Sequence, residues 1–98
     1  MLAPQISAEH AKQWGLIWDV VDDAALMPTA TELARRLANG PTLSLARIKD
    51  AMNQAAKNDL SQQLDIERDF QRELGRTEDF REGVSAFLAK RKAEFKGK

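Results

Sequence analysis

Apolar side chains recur at helical spacing near the end of the chain, in the stretch Thr77–Arg91. The stripe that they form on a helix consists of Phe80, Val84, Phe87 and Leu88. Such a stripe is typical of a helix that packs one face against a neighbour. Thr77 is a suitable N-cap, and Glu78 and Asp79 place negative charge in the first turn, where the helix dipole favours it. The pattern predicts a capped amphipathic helix.

A glycine interrupts this predicted helix. Gly83 lies on one flank of the apolar stripe, beside Phe87 and Lys90 when the helix is continued that far. An interior glycine destabilises a helix by roughly 1 kcal/mol relative to alanine, so something is expected to approach the backbone closely at this point. Two neighbours would explain it: another helix, or a flat ligand beside Phe87.

Four further helices are predicted upstream. They span Ser7–Trp14, Pro28–Asn39, Thr42–Lys57 and Leu60–Leu74. Pro28 is acceptable in the first turn of a helix but disfavoured deeper, which sets the predicted start of the second helix. Ser7 is a good N-cap for the first helix, and Asp59 with Gln62 has the spacing of a capping box for the fourth.

One short strand is predicted between the first two helices. The sequence LIWDVV, Leu16–Val21, is rich in branched and aromatic side chains, which favour strands. Trp14 and Trp18 are interpreted as its core anchors. A single strand cannot satisfy its own backbone N–H and C=O groups, and no second strand is predicted. This strand and the abrupt start at residues 1–5 therefore indicate a chain that begins inside a larger domain.

Composition excludes several classes of function. The 98 residues include 15 basic and 15 acidic side chains, and this balance gives no electrostatic reason to expect nucleic acid or an anionic membrane as a partner. Cysteine is absent and histidine occurs once, which excludes disulfides and argues against a zinc site. No apolar run is long enough to span a membrane, and we expect a cytoplasmic protein.

Few side chains are candidates for chemistry. His10 is interpreted as a solvated surface residue, because no orienting partner is evident. Glu67 shares a helix sector with apolar residues and is interpreted as a packing or assembly residue. An aromatic ring beside an ammonium group, as in Phe87 and Lys90, suits a nucleotide, although the same pair is also ordinary on a helix. No catalytic or metal-binding residue is assigned in this chain.

Three segments of the chain resemble the enoyl-CoA hydratase/isomerase family, the crotonase superfamily. They read SAEHAKQWGLIWDVVDD, LARRLANGPTLSLARIKDAMN and LDIERDFQRELGRTEDFREGVSAFLAKRKAEF. Their order, the NGP turn and the glutamate-glycine pair before AFLAKR resemble the C-terminal part of the family over essentially the whole chain. The first and last segments most resemble the subfamily that converts ring-1,2-epoxyphenylacetyl-CoA to an oxepin-CoA in aerobic phenylacetate degradation.

The resemblance implies a mainly α-helical region of about five helices and one short strand, belonging to a crotonase-like (ClpP/crotonase) fold without its N-terminal spiral core. Residues 1–22 would be the helix and strand at the end of the missing core, and residues 23–98 the helical region for trimer and CoA contacts. The oxyanion hole and the catalytic acids of the family lie upstream, so the resemblance implies that this chain alone is inactive.

The resemblance also implies ligands and partners. A CoA thioester would be the substrate, with no resident cofactor, and the protein would be a homo-oligomer, either a trimer or a dimer of trimers. Through the AFLAKR motif, Phe87 and Lys90 correspond to the aromatic residue and the lysine that contact the adenine end of CoA in the family.

Two alternatives stay open. The chain could come from a hydratase of fatty enoyl-CoA, because the groups that decide between the two reactions lie outside it. It could also be a stand-alone helical interaction module without catalysis. A piece of an oligomeric enzyme should self-associate through its exposed apolar faces, whereas a module should be a well-folded monomer.

Overall fold

The computed structural model describes residues 4–98, which contain five α-helices and no strand. The helices are α1 (Ala8–Gln13), α2 (Asp23–Ala38), α3 (Thr42–Ala55), α4 (Leu60–Leu74) and α5 (Glu78–Leu88). The predicted mainly helical fold is confirmed. The first three residues of the abrupt start lie outside the described part of the chain. Within that part, no helix has the length and apolarity needed to cross a bilayer.

The chain forms two compact units, divided between Glu32 and Leu33, inside α2. In the first unit, α1 is capped as predicted, since the His10 N–H donates to Ser7 Oγ at 3.2 Å. At its other end Gly15 adopts a left-handed φ of 74°. The Gly15 N–H donates to the Lys12 carbonyl at 3.0 Å, and the Leu16 N–H donates to the Ala11 carbonyl at 2.9 Å. These bonds form a Schellman motif, which requires the left-handed residue.

The predicted strand Leu16–Val21 is wrong, because these residues form an irregular segment. A strand needs a neighbouring strand to pair with its backbone groups, and residues 4–98 supply none. Asp19 instead accepts the Val20 N–H at 2.8 Å and pairs with Lys12, whose hydrogen bond lowers the pKa of the Asp19 carboxyl. The two tryptophans interpreted as core anchors are exposed, Trp14 by 61% and Trp18 by 66%.

α2 begins at Asp23, five residues before the predicted start at Pro28. Proline at the sixth position of a helix removes the hydrogen bond to the carbonyl four residues earlier, here that of Ala24, and its ring crowds the same carbonyl. Ala24 is exposed, so water can satisfy that carbonyl. The helix therefore tolerates Pro28 inside it, and the prediction placed the boundary too late.

In the second unit, α3 contacts α4. Arg47 of α3 donates to both carboxylate oxygens of Glu73 at 2.9 and 2.6 Å. Its guanidinium carbon also lies 5.2 Å from the centre of the Phe70 ring. The Glu73 and Asp50 carboxylates raise the pKa of Arg47. The two parallel bonds from the Arg47 guanidinium to Glu73 fix the register of the two helices better than a single contact would.

The predicted details of α4 are confirmed. The helix spans Leu60–Leu74, as predicted. Asp59 Oδ1 accepts the Gln62 N–H at 2.8 Å, and the Gln62 side chain accepts the Asp59 N–H at 3.0 Å. On its exposed face, Asp65 and Arg68 form a surface ion pair at 2.8 Å.

Little of the described chain is buried. Asp79 and Ala86, both in α5, are the only buried residues among residues 4–98. The apolar stripe of α5 stays largely open to solvent, with exposed fractions of 52%, 45%, 82% and 74% for Phe80, Val84, Phe87 and Leu88. Apolar faces of this size are normally covered in a stable assembly. The described residues therefore leave the α5 stripe incompletely covered.

Candidate functional site

The apolar stripe of α5 borders an open groove of about 380 Å³, here called the α5 groove. Its lining comprises Pro41, Ser44, Leu74, Asp79, Phe80, Gly83, Val84, Phe87, Leu88 and Phe95. Most of these side chains are apolar. The predicted site residue Phe87 therefore lies on a concave surface, and among residues 4–98 it is the most exposed of the large apolar residues, at 82%.

The second predicted site residue, Lys90, lies beyond the helix. α5 ends at Leu88, three residues before the predicted end at Arg91, and Lys90 has a left-handed φ of 51°. The Lys90 N–H donates to the Phe87 carbonyl at 3.2 Å, and the Arg91 N–H donates to the Ala86 carbonyl at 3.0 Å. These are the two bonds of a Schellman motif, with lysine at the position that glycine usually occupies. Phe87 and Lys90 are thus joined by a turn and not by a continuing helix.

The Phe95 ring lies next to Gly83. A β-carbon added at Gly83 would lie 3.6 Å from Cε1 and 4.0 Å from Cζ of the Phe95 ring. Phe95 belongs to the segment that follows α5, residues 91–98, here called the tail. A ring of the tail, and not a second helix, therefore lies within 4 Å of this position, and a flat ligand beside Phe87 stays a prediction.

Glu82 holds the first half of the tail. Its two carboxylate oxygens accept from the Arg91 guanidinium at 2.6 and 2.8 Å, and Oε1 also accepts the Glu94 N–H at 2.9 Å. The Arg91 guanidinium, followed by the Glu94 N–H, lowers the pKa of Glu82 to about 2. Glu82 is therefore a carboxylate at neutral pH.

Asp79 holds the second half of the tail. Its oxygens accept the Lys96 N–H at 2.7 Å and the Gly97 N–H at 2.9 Å. Its own N–H donates to the Lys98 carbonyl at 3.0 Å. The residue is only 5% exposed, and a buried carboxylate needs such donors. Gly97 has a φ of 73°, and a β-carbon there would lie 2.5 Å from Thr42 Oγ1, so a side chain at this position would clash.

Sequence reasoning missed this role of the two carboxylates. Asp79 was interpreted as a negative charge that favours the first turn of the helix, and it does lie in that turn. Its partners in the tail lie 17 to 19 residues further along the chain, and the partners of Glu82 lie 9 and 12 residues away. No local rule of helix pairing reaches so far. The one available signal was Phe95, an aromatic residue in an otherwise basic tail.

The other candidates lie elsewhere. Glu67 is exposed, accepts from Gln63 Nε2 at 2.9 Å, and borders a second groove of about 310 Å³ between α3 and α4. His10 is exposed, as predicted, and its ring stacks on Trp14 with the centroids 5.7 Å apart. A stacked ring pair at the surface has neither the pocket nor the orienting partner that acid-base catalysis requires.

A family model described as enoyl-CoA hydratase/isomerase matches residues 1–98. The chain belongs to the enoyl-CoA hydratase/isomerase family. Among its relatives, the 1,2-epoxyphenylacetyl-CoA isomerase of Escherichia coli is 58% identical over 98 residues, which is 100% of this chain and 37% of that protein. The 2,3-dehydroadipyl-CoA hydratase of the same organism is 39% identical over 93 residues, covering 95% of this chain and 36% of the hydratase.

Solved enoyl-CoA hydratases share the fold. The crystal structure of an enoyl-CoA hydratase from Polaromonas matches with a TM-score of 0.88 at 34% identity, over 93% of this chain and 35% of that chain. The resemblance to the enoyl-CoA hydratase/isomerase family is thereby confirmed. The chain spans just over a third of the length of these relatives.

Proposed function

We propose that the chain forms the helical C-terminal part of a ring-1,2-epoxyphenylacetyl-CoA isomerase, in which it binds the adenine end of CoA and contributes contacts between subunits. The observation that carries this proposal is the placement of Phe87, 82% exposed on an apolar groove, one turn before Lys90. The identity of 58% with the isomerase of E. coli supports the choice of substrate.

The chemistry of the α5 groove suits one end of a nucleotide. A flat heterocycle would cover the exposed Phe87 ring, which removes apolar surface from water and adds stacking energy. The Lys90 ammonium would lie near the phosphates that follow the heterocycle, as a mobile point charge. The volume of about 380 Å³ falls in the range of small-molecule sites, roughly 300–1,000 Å³.

The exposed apolar surface supports a role in assembly. Met52 of α3 and Leu60 of α4 are 71% and 76% exposed, and Leu64 is 55% exposed. Surfaces of this kind mark contacts with other chains or other domains. We infer a homo-oligomer, either a trimer or a dimer of trimers, in which such faces are covered.

The 98-residue chain alone is expected to be inactive. The backbone amides of the oxyanion hole and the acidic groups that the resemblance implies lie outside it. Its affinity for CoA is also expected to be low, because only one end of the ligand would be held while the full entropic cost of binding remains.

The test is a titration of CoA against the full-length enzyme and its variants Phe87→Ala and Lys90→Ala. Loss of the stacking ring should weaken binding about fivefold or more. Loss of the ammonium should weaken binding less, and mainly at low salt. Lys49→Ala, at an exposed position of α3, is the matched control and should bind as the wild type does. Unchanged affinity in both site variants would remove the assignment of the CoA site.

A second candidate is an enoyl-CoA hydratase, which is favoured by the identity of 39% with the 2,3-dehydroadipyl-CoA hydratase of E. coli. The two candidates separate by turnover of ring-1,2-epoxyphenylacetyl-CoA against hydration of an enoyl-CoA by the same full-length preparation. Isomerisation should dominate. Dominant hydration would replace the proposed substrate but leave the CoA site in place.

A further inference from the structure

Two carboxylates of α5 fix the tail through its backbone at both sides of Phe95. Glu82 accepts the N–H of Glu94, and Asp79 accepts the N–H of Lys96. The residues immediately before and after Phe95 are therefore both anchored. A phenylalanine whose backbone is held in this way keeps only its two side-chain torsions, so little further entropy is lost when its ring makes a contact.

The anchored ring lies at the α5 groove. Phe95 lines that groove together with Phe87, and it covers Gly83, where no side chain competes for the space. A β-carbon at Gly83 would lie 3.6 Å from the ring, an ordinary contact distance, so the ring packs closely beside this turn of α5. The tail thus adds a second aromatic wall to a surface that α5 alone would leave open.

We infer that Asp79 and Glu82 are positioning residues that clamp the tail, and that Phe95 is a second aromatic contact for the flat end of the ligand in the α5 groove. The inference rests on the proposed function, because the adenine end of CoA is the ligand that the ring would meet. The inference adds the Phe95 ring as a second wall of the α5 groove. This wall depends on the tail being held against α5.

The test measures tail order and ligand binding in the same full-length enzyme. Tail order is read from amide hydrogen exchange of the C-terminal peptide. Binding is read by calorimetry with 3′-phosphoadenosine 5′-diphosphate, which is the adenine end of CoA. The variants are Phe95→Leu, which removes the ring but keeps apolar volume, and Asp79→Asn, which weakens the clamp. Asp65→Asn, an exposed position on α4, is the matched control.

Phe95→Leu should weaken binding about fivefold or more, the effect of losing one stacking ring, and should leave tail exchange near that of the wild type. Asp79→Asn should accelerate exchange in the tail and weaken binding by a similar factor. The double variant should bind no more weakly than Phe95→Leu alone, because Asp79 acts through that ring. Asp65→Asn should change neither quantity.

Several results would overturn the inference. Unchanged binding in Phe95→Leu would remove the second aromatic contact, and faster tail exchange without weaker binding in Asp79→Asn would make the clamp purely structural. If Phe87→Ala still weakens binding in either case, the proposed function survives. If Phe87→Ala and Lys90→Ala also bind normally, both fail together. If Asp79→Asn also accelerates hydrogen exchange in the α3 and α4 peptides, Glu82→Gln is used in its place, because Glu82 is the more exposed of the two carboxylates. It should likewise accelerate exchange in the tail and weaken binding.

Discussion

Lys90 offers a direct test of the turn that ends α5. Its φ of 51° lies in the left-handed region, which costs a residue with a β-carbon roughly 1–2 kcal/mol. Glycine avoids this penalty but loses about 0.5–1 kcal/mol more on folding through backbone entropy. The two backbone bonds of the motif survive the change. Lys90→Gly should therefore raise the free energy of unfolding by about 0.5–1 kcal/mol relative to Lys90→Ala.

The comparison with Lys90→Ala matters because alanine removes the charge but keeps the β-carbon. The assay is urea denaturation followed by far-UV circular dichroism, with equal slopes required of both variants. Lys49→Gly, in the middle of α3, is the control for the same substitution in a right-handed helix, and it should lower stability by about 1 kcal/mol. A midpoint for Lys90→Gly at or below that of Lys90→Ala would refute the reasoning.

Two further predictions concern the contacts of α5. The pKa of Glu82 is lowered from 4.5 to about 2, so its contacts stabilise the tail fully above about pH 4.5 and are lost as the pH falls towards 2; exchange protection of the Glu94 amide should fall in that window. In Glu82→Gln, protection of the Glu94 amide should be lower at pH 7 and should not fall between pH 4.5 and 2. The same pH dependence of protection in both proteins would contradict the role assigned to Glu82. Gly83→Ala should raise stability by about 0.5–1 kcal/mol, because the 3.6 Å distance to Phe95 is an ordinary contact; a lower urea midpoint would refute that clearance.

The elements that sequence reasoning located well are those controlled by local interactions. Asp59 and Gln62 cap α4 within four residues of each other, and Thr77 accepts the Phe80 N–H at 3.1 Å to start α5. Such signals involve only the helix and its immediate flank. The resemblance to the family could also be recognised from the sequence, because each segment that carries it is continuous.

The three wrong predictions have other causes. A strand at Leu16–Val21 depends on a partner that residues 4–98 lack, and the propensity of its side chains could not reveal this. The predicted start of α2 depended on how strongly Pro28 destabilises a helix. The hydrogen bond that it removes is to an exposed carbonyl near the helix end, and the helix extends past it. The end of α5 was extended by periodicity past Leu88, since a left-handed lysine gives no composition signal.

The two residues predicted for the candidate site, Phe87 and Lys90, stay a prediction. They were chosen as an aromatic ring beside an ammonium group and through the AFLAKR motif. Asp79, Glu82 and Phe95 were missed because their contacts close loops of up to 19 residues, from Asp79 to Lys98. The entropy of closing such a loop is offset only by the set of contacts made at the end. No single pair in that set is visible from spacing.

The clamp has a consequence for how this region can diverge. Asp79 contacts backbone amides and a backbone carbonyl, so the side chains at Lys96 and Lys98 can drift without breaking it. Three requirements remain: a carboxylate at position 79, no proline at 96 or 97, and glycine at 97, where a φ of 73° and the 2.5 Å approach to Thr42 leave no room for a side chain. Among homologues, a fixed interval between aspartate and glycine would mark the clamp more reliably than any similarity of the tail between them.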